Sequence, residues 1–196
     1  MTQVSLTDLI TGARSGCLVS FPTDTVPALA VLPDRADLIF TAKQRSQDKP
    51  LILMGANSDS LWSFARGSAA EWKIWQQAAS LYWPGALTLV LPASELVPQA
   101  LNPADPTTIG LRVPKCAIAQ TILSQTSPLA TTSANLSGQM PLRTMAEISA
   151  QFPDVLTLSQ TELAAVELSV GVPSTVAKWT GNNWQILRQG GVKLEF

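Results

Sequence analysis

A helical pattern gives way to a buried strand within the stretch Lys43-Gln44-Arg45-Ser46-Gln47-Asp48-Lys49-Pro50-Leu51-Ile52-Leu53-Met54. The last four residues form an apolar run, which is typical of a strand that is covered on both faces. Three cations, Lys43, Arg45 and Lys49, gather at the helix end. Basic residues often lie there because they offset the helix dipole. The cluster alone therefore favours a solvated helix end, with an anion site as the alternative.

Two arginines further along the chain stand at the ends of strand-like runs. Arg112 ends the run Thr108-Ile109-Gly110-Leu111-Arg112-Val113-Pro114, and Arg188 ends the run Trp184-Gln185-Ile186-Leu187-Arg188. Ligand sites of sheet-based α/β proteins collect at strand ends. These two positions therefore strengthen the interpretation of the basic cluster as part of an anion site.

The segments on either side of this stretch predict an α/β fold with a twisted, mixed parallel and antiparallel sheet flanked by helices. Pro27 confines its strand to an edge of the sheet or to the end of a strand. Late strands follow one another through short turns such as Gly181-Asn182-Asn183, which favours a mixed sheet. We expect strands at 17–21, 26–32, 51–54, 86–91, 108–113, 128–132, 155–158, 166–170, 174–179 and 184–188. We expect helices at 5–15 after Ser5, from Asp34 to the basic cluster, and at 58–65, 68–82, 115–125 and 144–151.

Composition limits the class of protein. The chain has 196 residues, of which 46% are hydrophobic and 14% charged, so it can bury a substantial core. Its apolar runs are far shorter than the roughly 18 residues that span a bilayer, and its first residues lack the pattern of a signal peptide. Cys17 and Cys116 are isolated, which fits a reducing compartment. We therefore expect a cytoplasmic protein that does not enter a membrane.

Charge and the absence of histidine limit the chemistry. The formal net charge of −1 argues against a surface that binds nucleic acid mainly through phosphates, so a cationic site must be local. With no histidine, Ser-His and Cys-His catalysis are excluded. The remaining chemistry uses lysine, arginine, hydroxyls, backbone dipoles and a metal carried by a substrate.

Two polar loops are candidates for binding. The segment Thr131-Thr132-Ser133-Ala134-Asn135-Leu136-Ser137-Gly138 directly follows a predicted strand, where hydroxyls and free N–H groups could hold a phosphate. An ordinary Ser/Asn turn is equally consistent with it. The segment Gly171-Val172-Pro173-Ser174-Thr175-Val176 is by itself better explained as the start of a strand. The helix at 68–82 and the residue after it carry Trp72, Trp75, Leu81 and Trp83 near one apolar region, and we interpret these tryptophans as core.

Seven segments stand out when the chain is taken in order. They are Phe21-Pro22-Thr23-Asp24-Thr25-Val26, Lys43-Gln44-Arg45 with Lys49-Pro50-Leu51, Trp83-Pro84-Gly85 with Leu87-Thr88, the run from Thr108 to Pro114, Ser133-Ala134-Asn135-Leu136-Ser137-Gly138, Gly171 with Ser174-Thr175-Val176, and Ile186-Leu187-Arg188. Each segment is weak evidence alone, but together and in this order, over most of the chain, they resemble the threonylcarbamoyl-AMP synthase family, the YrdC-like domain.

The resemblance implies a single YrdC-like domain over residues 1–196, with a cationic cavity, that makes threonylcarbamoyl-AMP and pyrophosphate from L-threonine, bicarbonate and ATP. The product serves the threonylcarbamoyladenosine modification of tRNA, and a protein partner could transfer the group. Mg²⁺ would arrive with ATP rather than in a dedicated protein site, and direct RNA binding would be weak or local. A histidine-free site is compatible with this chemistry, because a carbamate is already an anionic nucleophile.

The resemblance also implies roles for individual residues. The expected catalytic residues are Lys43 and Arg45. The expected ATP ligands are Arg45, Lys49, Thr108, Ser133, Asn135 and Arg188. The expected threonine ligands are Thr25, Arg112, Thr131 and Ser174, with Arg112 clamping the carboxylate.

Departures from the family pattern fall on the amino-acid side. Pro27, Ala28 and Ala30 replace the usual Tyr, Gly and Gly, Met54 replaces a common His, and Pro173 replaces a common Glu. Ala177-Lys178-Trp179 also differs from the usual ending. The competing hypothesis is a YciO-like relative that keeps the fold and cavity and binds nucleotide or RNA without making the adenylate.

Overall fold

The computed structural model describes residues 2–46, 48–163 and 171–195, and within these ranges a mixed sheet of ten strands organises the chain. The strands are β1 (Gln3–Val4), β2 (Val19–Phe21), β3 (Ala28–Val31), β4 (Ile52–Met54), β5 (Leu87–Pro92), β6 (Thr108–Arg112), β7 (Leu129–Ser133), β8 (Leu156–Leu158), β9 (Thr175–Trp179) and β10 (Trp184–Arg188). Their order across the sheet is β1-β8-β2-β3-β7-β4-β6-β5-β9-β10.

Parallel and antiparallel pairs alternate irregularly across this sheet. The pairs β1/β8, β2/β8, β4/β6 and β5/β9 are parallel. The pairs β2/β3, β3/β7, β4/β7, β5/β6 and β9/β10 are antiparallel. The predicted mixed sheet flanked by helices is confirmed. Strand β3 lies inside the sheet, and Pro27 immediately precedes it, so the strand-end alternative is the one that holds.

The helices of the described ranges are α1 (Leu6–Arg14), α2 (Asp37–Lys43), α3 (Asp59–Trp62), α4 (Ala69–Tyr82), α5 (Ala117–Thr126), α6 (Met145–Gln151) and α7 (Gln160–Leu163). Side-chain caps begin three of them. Ser5 accepts from the Asp8 N–H, and Ser68 and Thr144 each form a capping box with the glutamate three residues later. The prediction that Asp34 caps α2 is wrong. A 3₁₀ turn at Pro33–Arg35 intervenes, and α2 follows Ala36, which has no capping side chain.

The two faces of the sheet bury different partners. One apolar cluster joins α2, α4 and α6 to the leucine side of the sheet, and the other joins α1 and α5 to the opposite face around β2 and β3. Strand alternation separates the two faces. In β5, Leu87, Leu89 and Leu91 are fully buried on the leucine side, whereas Thr88 and Val90 line a cavity on the other face.

All six tryptophans of the sequence lie on the leucine side in a continuous series of ring contacts with centroids 5.2 to 6.4 Å apart. Trp75 is fully buried and the half-buried Trp72 and Trp83 pack against the same cluster, which confirms their assignment to the core. Leu81 is 61% exposed, so its assignment to this apolar region is wrong. It lies on the outer face of α4.

Two further expectations concern the predicted strand at 166–170 and membrane-spanning helices. The strand predicted at 166–170 lies outside the described residues. Across the ranges that are described, we find no helix with the length and apolarity needed to cross a bilayer.

Candidate functional site

A cavity of about 470 Å³ lies over the face of the sheet opposite the leucine side, across strands β3 to β9. Ten of the eleven sequence-predicted site residues line it: Thr25, Arg45, Lys49, Thr108, Arg112, Thr131, Ser133, Asn135, Ser174 and Arg188. Segments far apart in sequence therefore converge on one concavity. Lys43 is the exception.

Strand register gives this cavity two distinct ends. Ile52 pairs with Gly110 and Met54 with Arg112, so residues 49–50 and Thr108 share one end of the floor, which we call the Thr108 end. In β7, Thr131 pairs with Ile52, which places Ser133 at the Thr108 end too. The opposite end, which we call the Arg112 end, contains Arg112, Ser174 and Arg188 together with Thr25.

Lys43 lies beneath the Thr108 end rather than on its surface. Its side chain is fully buried, and Nζ donates to the backbone oxygens of Ser133 and Asn135, each at 2.5 Å, and to Asn135 Oδ1 at 3.3 Å. Burial and the nearby charges of Arg45 and Lys49 lower the pKa of Lys43 to about 7. The three acceptors favour the charged form and so oppose that decrease. Lys43 thus fastens the end of α2 to the loop that follows β7.

Asn135 holds the same loop from within. Its Oδ1 accepts from Ser133 Oγ at 2.6 Å, and its Nδ2 donates to the carbonyls of Leu136 and Gln139 at 2.8 Å. These contacts fix the shape of the loop that follows β7.

Half-buried Arg45 and exposed Lys49, the other two cations of the basic cluster, line the Thr108 end. Arg45 donates to the carbonyls of Lys49 and Pro50 at 3.3 and 3.1 Å, which curls the segment around its guanidinium. Burial lowers the pKa of Arg45, and the charge of Asp48 opposes this. Lys49 Nζ reaches Ser137 Oγ at 3.3 Å. Since both line the cavity, this end can bind a polyanion.

Arg112 dominates the opposite end. It is 4% exposed and donates from Nε to Gly85 O at 3.1 Å, from Nη1 to Thr25 Oγ1 at 2.8 Å and from Nη2 to Asp24 Oδ1 at 2.7 Å. Burial lowers the pKa of its guanidinium, and the charge and hydrogen bond of Asp24 oppose that decrease. The Asp24 pair therefore fixes a buried cation at the edge of the cavity.

Ser174 and Arg188 meet at the Arg112 end as well. Arg188 donates from Nε and Nη2 to the Ser174 carbonyl at 3.1 and 2.9 Å, and from Nη2 to Ser174 Oγ at 3.2 Å. Ser174 Oγ lies 2.9 Å from Thr88 Oγ1. Sequence reasoning did not select Thr88 as a site residue, although the alternation of leucine with other residues in 87–91 could have placed it on the cavity face.

Asn102 and Gln139 are two further lining residues that sequence reasoning missed. Asn102 donates to the carbonyl and hydroxyl of Thr108 at 3.3 and 3.1 Å, and Thr108 donates to Asp105 Oδ2 at 3.1 Å. Asn102 lies in the long loop after β5, where no pattern in the sequence distinguishes it from other polar loop residues.

The departures from the family pattern separate into two groups. Pro27, Ala28, Met54 and Pro173 line the cavity, and Ala30 is buried against α1 and α5 instead. Gly110 on the cavity floor packs closely against Ile52, because a Cβ there would lie 2.7 Å from Ile52 Cγ2. The wall is thus apolar where the family pattern is more polar.

Within the described ranges, no cluster of three or more His, Cys, Asp or Glu side chains could hold a metal ion. Asp24 at the Arg112 end is already paired with Arg112. The lining is instead rich in cations and hydroxyls. Such a lining can bind anionic groups at both ends of the cavity, either on one elongated ligand or on two adjacent ligands.

Comparison with known proteins gives one consistent group. The Sua5/YciO/YrdC family model, described as "Telomere recombination", matches residues 13–190. A Pyrococcus abyssi protein named threonylcarbamoyl-AMP synthase is 37% identical over 186 residues, which cover 93% of this chain and 53% of that protein. A Yersinia enterocolitica protein of the same name is 32% identical over 154 residues, covering 76% of this chain and 80% of that protein.

A solved structure agrees with these relatives. The crystal structure of P. abyssi Sua5 complexed with L-threonine matches with a TM-score of 0.81 and 31% sequence identity, over 95% of this chain and 54% of that one. The chain therefore spans about half the length of the Pyrococcus proteins and four fifths of the Yersinia protein.

Proposed function

This chain belongs to the Sua5/YciO/YrdC family, and from that premise we propose that it is an L-threonylcarbamoyladenylate synthase. The reaction joins L-threonine, bicarbonate and ATP into threonylcarbamoyl-AMP and releases pyrophosphate. The names of the Pyrococcus and Yersinia relatives support this proposal. The L-threonine bound to P. abyssi Sua5 supports the amino-acid half of it.

The observation that carries the proposal is the division of one cavity into two cationic ends. Arg45 and Lys49 line the Thr108 end, and Arg112 and Arg188 line the other. A triphosphate needs several donors spread over a surface, whereas an amino-acid carboxylate needs one planar, fixed donor. Arg45 and Lys49 together match the first requirement and the buried Arg112 matches the second, although the chain as a whole has a net charge of −1.

The chemistry needs no histidine. The threonine amine and bicarbonate form a carbamate with loss of water. A carbamate oxygen then attacks the α-phosphorus of ATP, and the bond to pyrophosphate breaks. Because the carbamate is already anionic, the protein contributes mainly alignment and neutralisation of charge. Mg²⁺ would enter with ATP as part of the substrate.

We propose roles that follow the two ends. Arg45 and Lys49 would contact the triphosphate, with Thr108, Ser133 and Asn135 contacting or shaping the nucleotide site. Arg112 would bind the threonine carboxylate, with Thr25, Thr131 and Ser174 lining the amino-acid pocket. Arg188 would meet the α-phosphate where the two substrates join.

Lys43 takes a different role from the one expected. Its ammonium group contacts three oxygens of the loop at 133–135 and does not line the cavity. We therefore propose that Lys43 is a positioning residue, which holds Ser133 and Asn135 against α2, and that Arg45 is the member of the pair that contacts ligand.

The proposal extends to the setting of the reaction. The product would feed threonylcarbamoyladenosine formation in tRNA, in the cytoplasm, through a protein partner that transfers the group. We propose that residues 1–196 act as one YrdC-like domain, because β1 near the start pairs with β8 late in the chain. Direct RNA contacts would be weak or local, because the tryptophans lie on the leucine side and not beside the cations.

Turnover of purified protein tests the proposal. ATP, Mg²⁺ and bicarbonate are supplied with and without L-threonine, pyrophosphate is measured, and the nucleotide product is identified by mass spectrometry. Threonine-dependent pyrophosphate with the threonylcarbamoyl-AMP mass is the expected result. Nucleotide binding without that product would instead support the YciO-like alternative and point to Met54, Pro27 and Pro173 as the cause.

A further inference from the structure

The hydroxyl groups of Thr88 and Ser174 form a pair with one proton to spare. Their oxygens are 2.9 Å apart, both residues are at most 4% exposed, and both line the cavity. Each hydroxyl brings one proton, and the bond between the two uses only one. The pair must therefore offer its second proton to another acceptor.

The contact with Arg188 favours one of the two possible donors in this pair. Arg188 Nη2 lies 3.2 Å from Ser174 Oγ, and a guanidinium can only donate, so Ser174 Oγ is an acceptor. A hydroxyl group whose oxygen accepts a hydrogen bond from a cation becomes a stronger hydrogen-bond donor itself. This favours the arrangement in which Ser174 donates to Thr88 and the proton of Thr88 is left for another acceptor. Among the described residues, the structure gives Thr88 Oγ1 no hydrogen bond besides the one to Ser174.

The neighbour of Thr88 on the cavity floor is Arg112. Leu89 pairs with Leu111, so Thr88 and Arg112 stand side by side on adjacent strands with their side chains on the cavity face. Arg112 uses three of its five N–H donors within the protein. The neutral hydroxyl of Thr88 thus lies beside the buried guanidinium of Arg112, which still has N–H groups that can donate to a ligand.

We propose that Thr88 donates its hydroxyl proton to a planar oxyanion, a carboxylate or a carbonate, that Arg112 also binds. Thr88 is then a further binding residue of the amino-acid side, oriented by the series Arg188, Ser174, Thr88. The inference rests on the proposed function only for the identity of the anion, which is the carboxylate of threonine or bicarbonate. If Thr88 merely tied β5 to β9, its removal would change stability and leave anion affinity unchanged.

Calorimetric titrations of the full chain with L-threonine, sodium bicarbonate and sodium acetate, each alone, test this role. Thr88→Val removes the hydroxyl and keeps the volume, and Thr88→Ser keeps the hydroxyl. Thr157→Val is the matched control, because Thr157 is also a fully buried strand threonine but lies on β8, away from the cavity. Thermal melting of every variant shows that each is folded.

We expect Thr88→Val to weaken binding of the anion at least about tenfold, as for a lost hydrogen bond to a charged group. Thr88→Ser and Thr157→Val should stay within about twofold of the parent. A loss confined to L-threonine identifies the amino-acid carboxylate as the ligand, and a loss confined to bicarbonate identifies the carbonate.

Two results would overturn the role of Thr88. One is unchanged affinity for all three anions in a folded Thr88→Val protein, and the other is the absence of binding of any of them to the parent. If Thr88→Val is unfolded, Thr88→Ala replaces it under the same criteria. Because binding is measured without turnover, a parent protein that binds anions but makes no adenylate would refute the proposed function and leave Thr88 in place.

Discussion

Replacing Arg112 with methionine should expose how strongly the Asp24 pair holds the amino-acid end of the cavity. Arg112→Met removes the bonds to Gly85 and Thr25 and leaves Asp24, whose side chain is 14% exposed, without its cation. Breaking a buried ion pair by removing one partner costs about 3 to 5 kcal/mol. Because Asp24 keeps some contact with water, we expect the lower value, a decrease of about 3 kcal/mol in the free energy of unfolding.

The double variant separates the ion pair from the rest of the loss. Asp24→Asn keeps one acceptor oxygen for Arg112 and should cost about 2 kcal/mol, the value of a hydrogen bond to a charged group. In Arg112→Met/Asp24→Asn no lone carboxylate remains, so the combined loss should be about 3 kcal/mol rather than the sum. A coupling of about 2 kcal/mol between the two positions is the expected signature.

Urea denaturation followed by tryptophan fluorescence measures these values, with Arg66→Met as the control for loss of an exposed arginine. That control should stay within about 0.5 kcal/mol of the parent. Calorimetry with L-threonine should show loss of binding in Arg112→Met. Additive losses of stability at the two positions would refute the argument that a coupled ion pair fixes Arg112. An unchanged affinity for threonine in Arg112→Met would show that Arg112 does not bind the amino acid.

Three further changes test other parts of the structure. Lys49→Ala should weaken ATP binding by about tenfold, as for loss of a charged hydrogen bond. If calorimetry gives equal ATP affinity for the variant and the parent, the basic cluster is better interpreted as a solvated helix end. The pKa of Lys43 is lowered to about 7, so the folded chain binds fewer protons than the unfolded chain from about pH 7 up to the usual value of 10.5. The free energy of unfolding should therefore rise with pH in that window, and Lys43→Met should flatten the rise; parallel pH profiles in urea denaturation would contradict this. Thr157 and Ser20 carry buried hydroxyls with no partner among the described residues, so Thr157→Val should raise the melting temperature, with a gain of about 1 kcal/mol. A lower melting temperature would indicate an unseen partner.

Periodicity and caps predicted most of the elements but not how the segment before α2 folds. Ser5, Ser68 and Thr144 each begin a helix with a local hydrogen bond, which the sequence alone reveals. Asp34 has the same chemistry and does not cap, because Pro33 starts a 3₁₀ turn that delays α2 to Asp37. Local patterns identify a capping residue type, whereas the turn that precedes the helix decides whether it is used.

In the candidate site, too, the sequence revealed some residues and not others. Arg112 and Arg188 were recognisable as strand ends, since that position depends on one strand only. The burial of Lys43 depends on the loop at 133–135, about 90 residues later, so nothing near Lys43 indicated it. The alternation of β5 could have placed Thr88 on the cavity face, but its contact with Ser174 depends on β9, which pairs with β5 from the far end of the chain.

The strand order has a consequence for how the chain emerges from the ribosome. Gln3 pairs with Thr157, and β3 receives its second neighbour only when Leu129–Ser133 has been made. Until then, the apolar faces of β2 and β3 have no sheet to join. Pairings of such long sequence separation fold slowly and leave unpaired edges open to aggregation. We therefore expect synthesis of nearly the whole described chain to precede folding, and early truncation products to depend on chaperones.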